Sequence, residues 1–136
     1  MYEKILVTLA LDHGLSNRLL EIARGLVHPG GEILALHVVE APYGLAQATQ
    51  SDAVSQQTFD RARDRMHDKL KGQLGIHGHV IEGHVYRGIL GFAEENGVRC
   101  IVMGSHRPGF SDYFIGSTAA RVVRHATCAV HVHRGG

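Results

Sequence analysis

The chain of 136 residues has no tryptophan, just two cysteines (Cys100 and Cys128) and no marked excess of either charge. Its formal net charge is +1, so bulk electrostatics gives no reason to expect binding to nucleic acid or to an anionic membrane. No apolar run approaches the roughly 20 residues of a membrane helix, and we expect no membrane insertion. Two cysteines make neither a disulfide framework nor a zinc site. Each stands at or near the start of a predicted strand, which favours a buried core role, while a redox role stays open.

The sequence does contain a regular alternation of strand-like and helix-like patterns. Apolar runs predict five strands, which are Lys4 to Leu11, Ile33 to Val39, His79 to Tyr86, Val98 to Met103 and Cys128 to His133. Helical spacing predicts a first helix from Leu15 to Val27, ended by Pro29-Gly30-Gly31, and a second with the apolar stripe Phe59, Ala62, Met66, Leu70 and Leu74. Two shorter helices are predicted from Gly88 to Asn96 and from Ala119 to Ala126.

This order of elements indicates a doubly wound α/β fold. Strands joined by helix-length crossovers pair in parallel through right-handed connections, which puts helices on both faces of the sheet. We therefore expect one domain over residues 1–136, with a five-stranded parallel sheet in the order 3-2-1-4-5. Ligands of such sheets bind beyond the carboxyl ends of the strands, at the point where the winding reverses. Here that point lies between strands one and four.

The segment Met103 to Thr118 carries the features of a phosphate cradle. Gly104 comes at the end of strand four, and Gly116-Ser117-Thr118 stands immediately before the last predicted helix. Glycine lets the backbone approach an anion closely, while the N–H groups and dipole of a helix N-terminus attract negative charge. Because the segment falls at the expected crevice, it indicates nucleotide binding. The alternative interpretation is a simple turn and N-cap.

No comparable pattern indicates catalysis or a metal site. The eleven histidines include the spaced pairs His77/His79 and His131/His133, but a metal site usually needs three or four convergent ligands, so we interpret them as scattered residues. Ser105 and His106 are adjacent in sequence, which does not create the geometry of a nucleophile and its base. The loop also lacks the Gly-Lys-Ser/Thr ending of a P-loop, so ATP hydrolysis, where present, should be slow.

The chain resembles the universal stress protein family along nearly its whole length. The resemblance rests on the opening Tyr-Glu-Lys-Ile-Leu-Val, on Leu34 to Val39, on Ile101 to Pro108 and above all on Gly116 to Ala126. The family's ATP-binding branch has a loop of the form G-x2-G-x9-G-[S/T]. Gly104 matches its first glycine, and Gly116 with Ser117 matches its final pair. Arg107 and Pro108 stand near the place of the middle glycine, in a loop one residue shorter. This variant resembles a Ser-His-Arg-Pro subgroup that includes nucleotide binders.

The resemblance implies ATP or AMP as the ligand, with Mg²⁺ as a candidate companion. Asp12 would contact the adenosine moiety, although it stands two residues later than the family's usual spacing. Arg107 would pair with a phosphate or be a solvated loop residue, and His106 would line the pocket or bond within the loop. Val38 and Val39 would touch adenine or merely pack at the edge of the core. The candidate nucleotide-binding residues are Ala10, Leu11, Asp12, Val38, Val39, Met103, Gly104, His106, Arg107, Gly116, Ser117 and Thr118.

Strand five is expected at the edge of the sheet, where exposed backbone groups invite pairing. The resemblance implies a homodimer in which two copies of Ala129 to His133 pair antiparallel. The cysteine usage favours a reducing, cytoplasmic setting, and we expect a regulatory protein whose output is contact with a further, unidentified protein. Two rival functions stay open, namely a dimeric interaction module of the same fold that binds no nucleotide, and a slow ATP hydrolase.

Overall fold

The computed structural model describes residues 1–11, 15–40, 52–105 and 115–134. The strands are β1 (Tyr2–Thr8), β2 (Val27–Glu40), β3 (Ile76–Gly83), β4 (Cys100–Gly104) and β5 (Ala129–His133). The helices are α1 (Leu15–Leu26), α2 (Asp52–Lys69), α3 (Val85–Glu95) and α4 (Ser117–His125). In these parts of the chain, no helix combines the length and the apolar character needed to cross a membrane.

The strands form one parallel sheet in the order β3-β2-β1-β4-β5, which confirms the predicted topology. β1 is central, with Ile5 paired to Ile33 of β2 on one side and to Cys100 of β4 on the other. The chain runs outward from β1 to β3 and then returns to β4, so the winding reverses between β1 and β4. The carboxyl ends of these two strands therefore lie side by side, where a ligand site was predicted.

The core has two layers, one on each face of the sheet. Ile5, Val7 and Val102 belong to the layer under α1 and α2, whereas Leu6 and Ile101 belong to the layer under α3 and α4. Neighbouring residues of β1 fall in different layers because side chains alternate across a strand. Both faces of the central strands are buried, which explains why these strands read as continuous apolar runs rather than as alternating patterns.

The start of β2 differs from the prediction. α1 ends at Leu26 and β2 follows at once, so the predicted helix stop Pro29-Gly30-Gly31 lies inside the strand. The pairing of β2 with β1 shifts its register at this point, and the three residues form an irregular bulge. Gly30 has φ +82, and a Cβ on Gly31 would lie 2.8 Å from the carbonyl oxygen of Glu3. Both positions therefore favour glycine.

Several other strand boundaries also differ, and β4 begins at Cys100 rather than at Val98. β1 ends at Thr8 rather than at Leu11. β3 covers Ile76–Gly83 instead of His79 to Tyr86, because Gly83, at φ +147, closes the strand and α3 begins two residues later. Tyr86 consequently lies in the first turn of a helix and not at the end of a strand.

Helix α2 packs closely against β3. A Cβ on Gly78 would lie 2.7 Å from Cδ1 of Leu70 and 2.8 Å from Cγ of Met66. Ala62 and Met66 are buried, in agreement with the predicted stripe. Leu74, predicted to continue that stripe, is 86% exposed, because the helix ends before it and the chain turns through glycines of positive φ.

Candidate functional site

Backbone hydrogen bonds hold together the two ends of the segment that follows β4. Ser105, the residue after the strand, donates its N–H to the carbonyl of His133 at 2.9 Å. The Ser105 carbonyl accepts the N–H of Gly116 at 2.5 Å. Ser105 is 3% exposed, so both bonds are shielded from competing water. The chain therefore leaves β4 at Gly104 and comes back beside it at Gly116.

These bonds fix the N-terminus of α4 at the carboxyl edge of the sheet. Gly116 is the N-cap, with φ −61 and ψ 159, and its carbonyl accepts the N–H of Ala120 at 2.9 Å. A glycine supplies no side-chain cap, and the first turn contains no acidic residue. Ser117 is exposed and Thr118 is half-buried. The first-turn N–H groups and the positive end of the helix dipole thus form a surface suited to an anion.

Two polar side chains that the sequence did not single out hold the end of β1. The N–H of Leu9 donates to a carbonyl of β2 at 2.8 Å, and Nδ1 of His37 donates to the carbonyl of Leu9 at 2.7 Å. Because a carbonyl only accepts, the proton of this bond belongs to Nδ1. The hydroxyl of Ser16, which is 2% exposed, donates to the carbonyl of Ala10 at 3.5 Å. These bonds set the path along which Ala10 and Leu11 leave the sheet.

The apolar members of the predicted site are engaged in packing. Val38 and Met103 are buried in the layer under α3 and α4. A Cβ on Gly88 of α3 would lie 3.4 Å from the methyl groups of Val38, which shows how closely this side chain is covered. Val39 is half-buried and faces the other side of the sheet. A ligand at this edge would meet the backbone of Val38 rather than its side chain.

Nine of the twelve predicted site residues lie in the described parts of the chain. The structure brings the start and the end of the β4–α4 segment together, places two residues at the end of the adjoining β1, and places two more at the end of β2 beyond it. In that order these groups are Met103 and Gly104 with Gly116, Ser117 and Thr118, then Ala10 with Leu11, then Val38 with Val39. The remaining predicted residues Asp12, His106 and Arg107 lie outside the described residues.

His133 belongs to the same edge, and the sequence treated it as one scattered histidine among several. It pairs with Gly104, and its Nε2 is buried without a hydrogen-bond partner among the described residues. Little in the local sequence pattern pointed to these residues. His37 is the polar residue of the apolar run Ile33 to Val39, which was a usable signal, whereas Ser16 and His133 carried none.

Neither thiol forms a disulfide. Cys100 is buried, as predicted, and Cys128 is half-buried. Burial, with a further contribution from the nearby Cys128, raises the pKa of Cys100 to about 11. Burial also raises the pKa of Cys128. Protonated thiols are poor nucleophiles and poor metal ligands. Among the residues that the structure describes, no three side chains of His, Cys, Asp or Glu converge on a metal-binding geometry.

Comparison with known proteins places the chain among relatives of similar length. Residues 1–134 match the Universal stress protein family. Universal stress protein A homolog 2 of Coxiella burnetii is 33% identical over 139 residues, which cover 95% of this chain and 92% of that protein. Among solved structures, the hypothetical protein MJ0577 superposes with a TM-score of 0.82 at 21% identity, over 97% of this chain and 95% of that one.

Two further solved structures of similar fold contain nucleotides. A universal stress protein in complex with cAMP has a TM-score of 0.63 at 16% identity and covers 97% of each chain. The universal stress protein from Archaeoglobus fulgidus in complex with dAMP has a TM-score of 0.61 at 21% identity, over 96% of this chain and 97% of that one. Such distant likeness shows the shared fold. The match over residues 1–134 and the 33% identity with the Coxiella relative show that this chain belongs to the universal stress protein family.

Proposed function

We propose that the protein is a regulatory protein that binds an adenine nucleotide, ATP or AMP, at the carboxyl ends of β1 and β4. The observation that carries the proposal is the hydrogen bond between Ser105 and Gly116, which sets a helix N-terminus beside the end of β4 where the winding reverses. Phosphate oxygens would accept from the N–H groups of Ser117 and Thr118. The cAMP and dAMP complexes of proteins with this fold support a nucleotide as the ligand.

The other candidate residues divide between the two ends of the nucleotide. Residues at the ends of β1 and β2 would border the adenosine, with Asp12 accepting hydrogen bonds from it. The residues after β4 would surround the phosphates, in the manner of the Ser-His-Arg-Pro subgroup, and Mg²⁺ would accompany ATP. The adenosine group is Ala10, Leu11, Asp12, Val38 and Val39, and the phosphate group is Met103, Gly104, His106, Arg107, Gly116, Ser117 and Thr118. Since no P-loop lysine follows the glycines, we propose binding without rapid hydrolysis.

The substitution Gly116→Val tests this proposal. The conformation of Gly116 is open to L residues, so the variant should fold, while its isopropyl group would fill the space in front of the first turn of α4. We expect its affinity for AMP and ATP to fall roughly tenfold or more, a loss of about 1.4 kcal/mol. The matched control is Gly91→Val on α3, where an added Cβ meets no atom within 4 Å. This control should keep the affinity of the natural protein.

Nucleotide identity is tested by heating freshly purified protein and identifying what it releases. An adenine nucleotide in near-stoichiometric yield supports the proposal. Empty protein that also shows no thermal shift with millimolar ATP contradicts it and favours the interaction module.

We further propose that this family member forms a homodimer through β5 and acts in the cytoplasm as one unit over residues 1–136. β5 is an outer strand of the sheet, and its residues Ala129 and His131 are exposed, so a second copy can pair with its open edge. His131→Glu places two like charges in that interface and should give a monomer by light scattering, as should Val130→Pro. The control His77→Glu changes an exposed residue of β3, the opposite edge, and should leave the dimer intact.

A further inference from the structure

An aromatic and cationic cluster joins the start of α3 to α4. Its centre is Tyr86, in the first turn of α3. The ring of His84, which precedes the helix, meets Tyr86 edge-on, with ring centroids 4.7 Å apart. The ring of His125, in the last turn of α4, lies 6.1 Å away and within 23° of parallel. With Arg87 and Arg121, these residues are named here the Tyr86 cluster.

Two guanidinium groups share this one ring. Cζ of Arg87 lies 5.8 Å from the ring centroid of Tyr86, and Cζ of Arg121 lies 5.4 Å from it. Nε of Arg87 also donates to the hydroxyl oxygen of Tyr86 at 3.3 Å. That hydrogen bond is the main cause of the lowered pKa of Tyr86; desolvation opposes it, and the charges of Arg87 and Arg121 lower the pKa further. The negative face of the ring offsets part of the repulsion between the two cations.

The ion pairs seen in the described parts of the chain do not involve these two arginines. They join Lys4 to Glu32, Arg18 to Glu21 and Lys71 to Asp68, all away from the start of α3. Glu82 is close to His84 in sequence, but it pairs with Val39 and therefore faces the side of the sheet away from α3. Glu94 lies two turns further along α3, where it and His125 line a cavity of about 50 Å³. The guanidinium pair thus carries an excess of positive charge.

We propose that the Tyr86 cluster is the docking site for an acidic segment of a partner protein. The ring of Tyr86 is half-buried, whereas the other four members are exposed, namely His84, Arg87, Arg121 and His125. Guanidinium groups bind carboxylates through two parallel hydrogen bonds. Tyrosine and arginine are also the residue types that most often dominate the binding energy of protein interfaces.

The chemistry of the cluster favours a peptide over other anions. The exposed rings of His84 and His125 beside Tyr86 offer contact area that a polypeptide uses and a small inorganic anion does not. A nucleic acid would require a longer row of cations to neutralise successive phosphates. The proposal goes beyond nucleotide binding, although α4 connects the two sites, since its first turn belongs to the nucleotide edge while Arg121 and His125 belong to the cluster.

The test is a titration of fluorescein-labelled hexaglutamate with the full chain at low salt, followed by fluorescence anisotropy. Binding should saturate, and the double variant Arg87→Gln/Arg121→Gln should weaken it about tenfold, as expected for the loss of charge-assisted hydrogen bonds. Arg124→Gln is the control for loss of charge on the same helix, because it removes one positive charge, against two in the double variant, at an exposed position outside the cluster. It should change the affinity less than about twofold, which is the effect of a neutral surface position.

Several outcomes would overturn the proposal. These are the absence of saturable binding, an equal loss in the Arg124→Gln control, displacement of the peptide by millimolar inorganic phosphate, or equally tight binding of a single-stranded oligonucleotide with the same dependence on the two arginines. The affinity of the double variant for AMP separates this site from the nucleotide edge, and it should stay that of the natural protein.

Discussion

The carbonyl of Ser105 accepts the N–H of Gly116, and this single bond joins the exit from β4 to the start of α4. A helix N-terminus attracts anions only where its free N–H groups are presented to a ligand. Here the chain itself presents them at the reversal of winding, before any ligand arrives. An anion bound at this place would require less ordering of the protein backbone, which favours affinity.

Hydrogen exchange should resolve this arrangement residue by residue. The amides of Gly116 and Ala120 are hydrogen-bonded and should exchange slowly with or without ligand, since a bonded amide exchanges after local opening. The amides of Ser117 and Thr118 should exchange fast in the free protein and slow down when AMP is added. Two-dimensional NMR measures all four. A fast Gly116 amide would contradict the closure by Ser105, and an unchanged Ser117 amide at saturating AMP would contradict its contact with phosphate.

The substitution His37→Phe should destabilise the protein by about 1–3 kcal/mol, because it leaves the carbonyl of Leu9 without its partner in a largely buried place. Urea unfolding followed by circular dichroism measures the change. His28→Phe is the control, since His28 is exposed and its Nδ1 is hydrogen-bonded to the carbonyl of the adjacent Pro29. The control should alter the free energy of unfolding by less than about 0.5 kcal/mol. Equal effects would show that the His37 bond contributes nothing.

The substitution Gly78→Val should cost about 1–3 kcal/mol of stability, because the added atoms collide with Leu70 and Met66 of the α2 segment. Thermal unfolding measures the loss. In the background of Met66→Ala the same change should cost less, since the smaller side chain makes room and the two sites are in contact. Strict additivity of the two substitutions would argue against close packing of α2 on β3.

Stability should decline between pH 9 and 11 through Cys100. The pKa of this thiol is raised from 9.0 to about 11 by burial. Below pH 9 the thiol is protonated in both the folded and the unfolded chain, and its contribution is fully present. Between pH 9 and 11 the unfolded chain ionises first, so the contribution is lost as the pH rises through the folded pKa. Urea midpoints across this range should fall less steeply for Cys100→Ala; parallel slopes for the two proteins would contradict the raised pKa.

The fold was predictable because few arrangements satisfy the sequence. Strands buried on both faces give continuous apolar runs, and right-handed crossovers between them leave little choice of order. The boundaries were harder. Pro29-Gly30-Gly31 is compatible with a turn that ends a helix and with a bulge inside a strand. Pairing with β1 favours the bulge. The aromatic and β-branched run His79 to Tyr86 favours a strand, yet the backbone conformation of Gly83 ends it early.

The positions of the glycines of the candidate site were predictable from the sequence, but the side-chain hydrogen bonds that hold the end of β1 were not. The sequence pattern identifies Gly104 and Gly116, because one follows a predicted strand and the other precedes a predicted helix. The bond from His37 to Leu9 joins residues 28 positions apart, and no local pattern reveals such a contact. The Tyr86 cluster was missed for the same reason, since Arg121 and His125 come from another helix.

Because Ser105 is hydrogen-bonded to Gly116, the position of α4 does not depend on the number of residues between these two. With the ends pinned, removing one of the ten residues 106–115 changes the entropy of loop closure by only about 0.1 kcal/mol. A loop one residue shorter than the family's pattern therefore leaves the helix where it is. Insertions and deletions between Ser105 and Gly116 can therefore change the residues that precede α4 while the sheet and its helices keep their places.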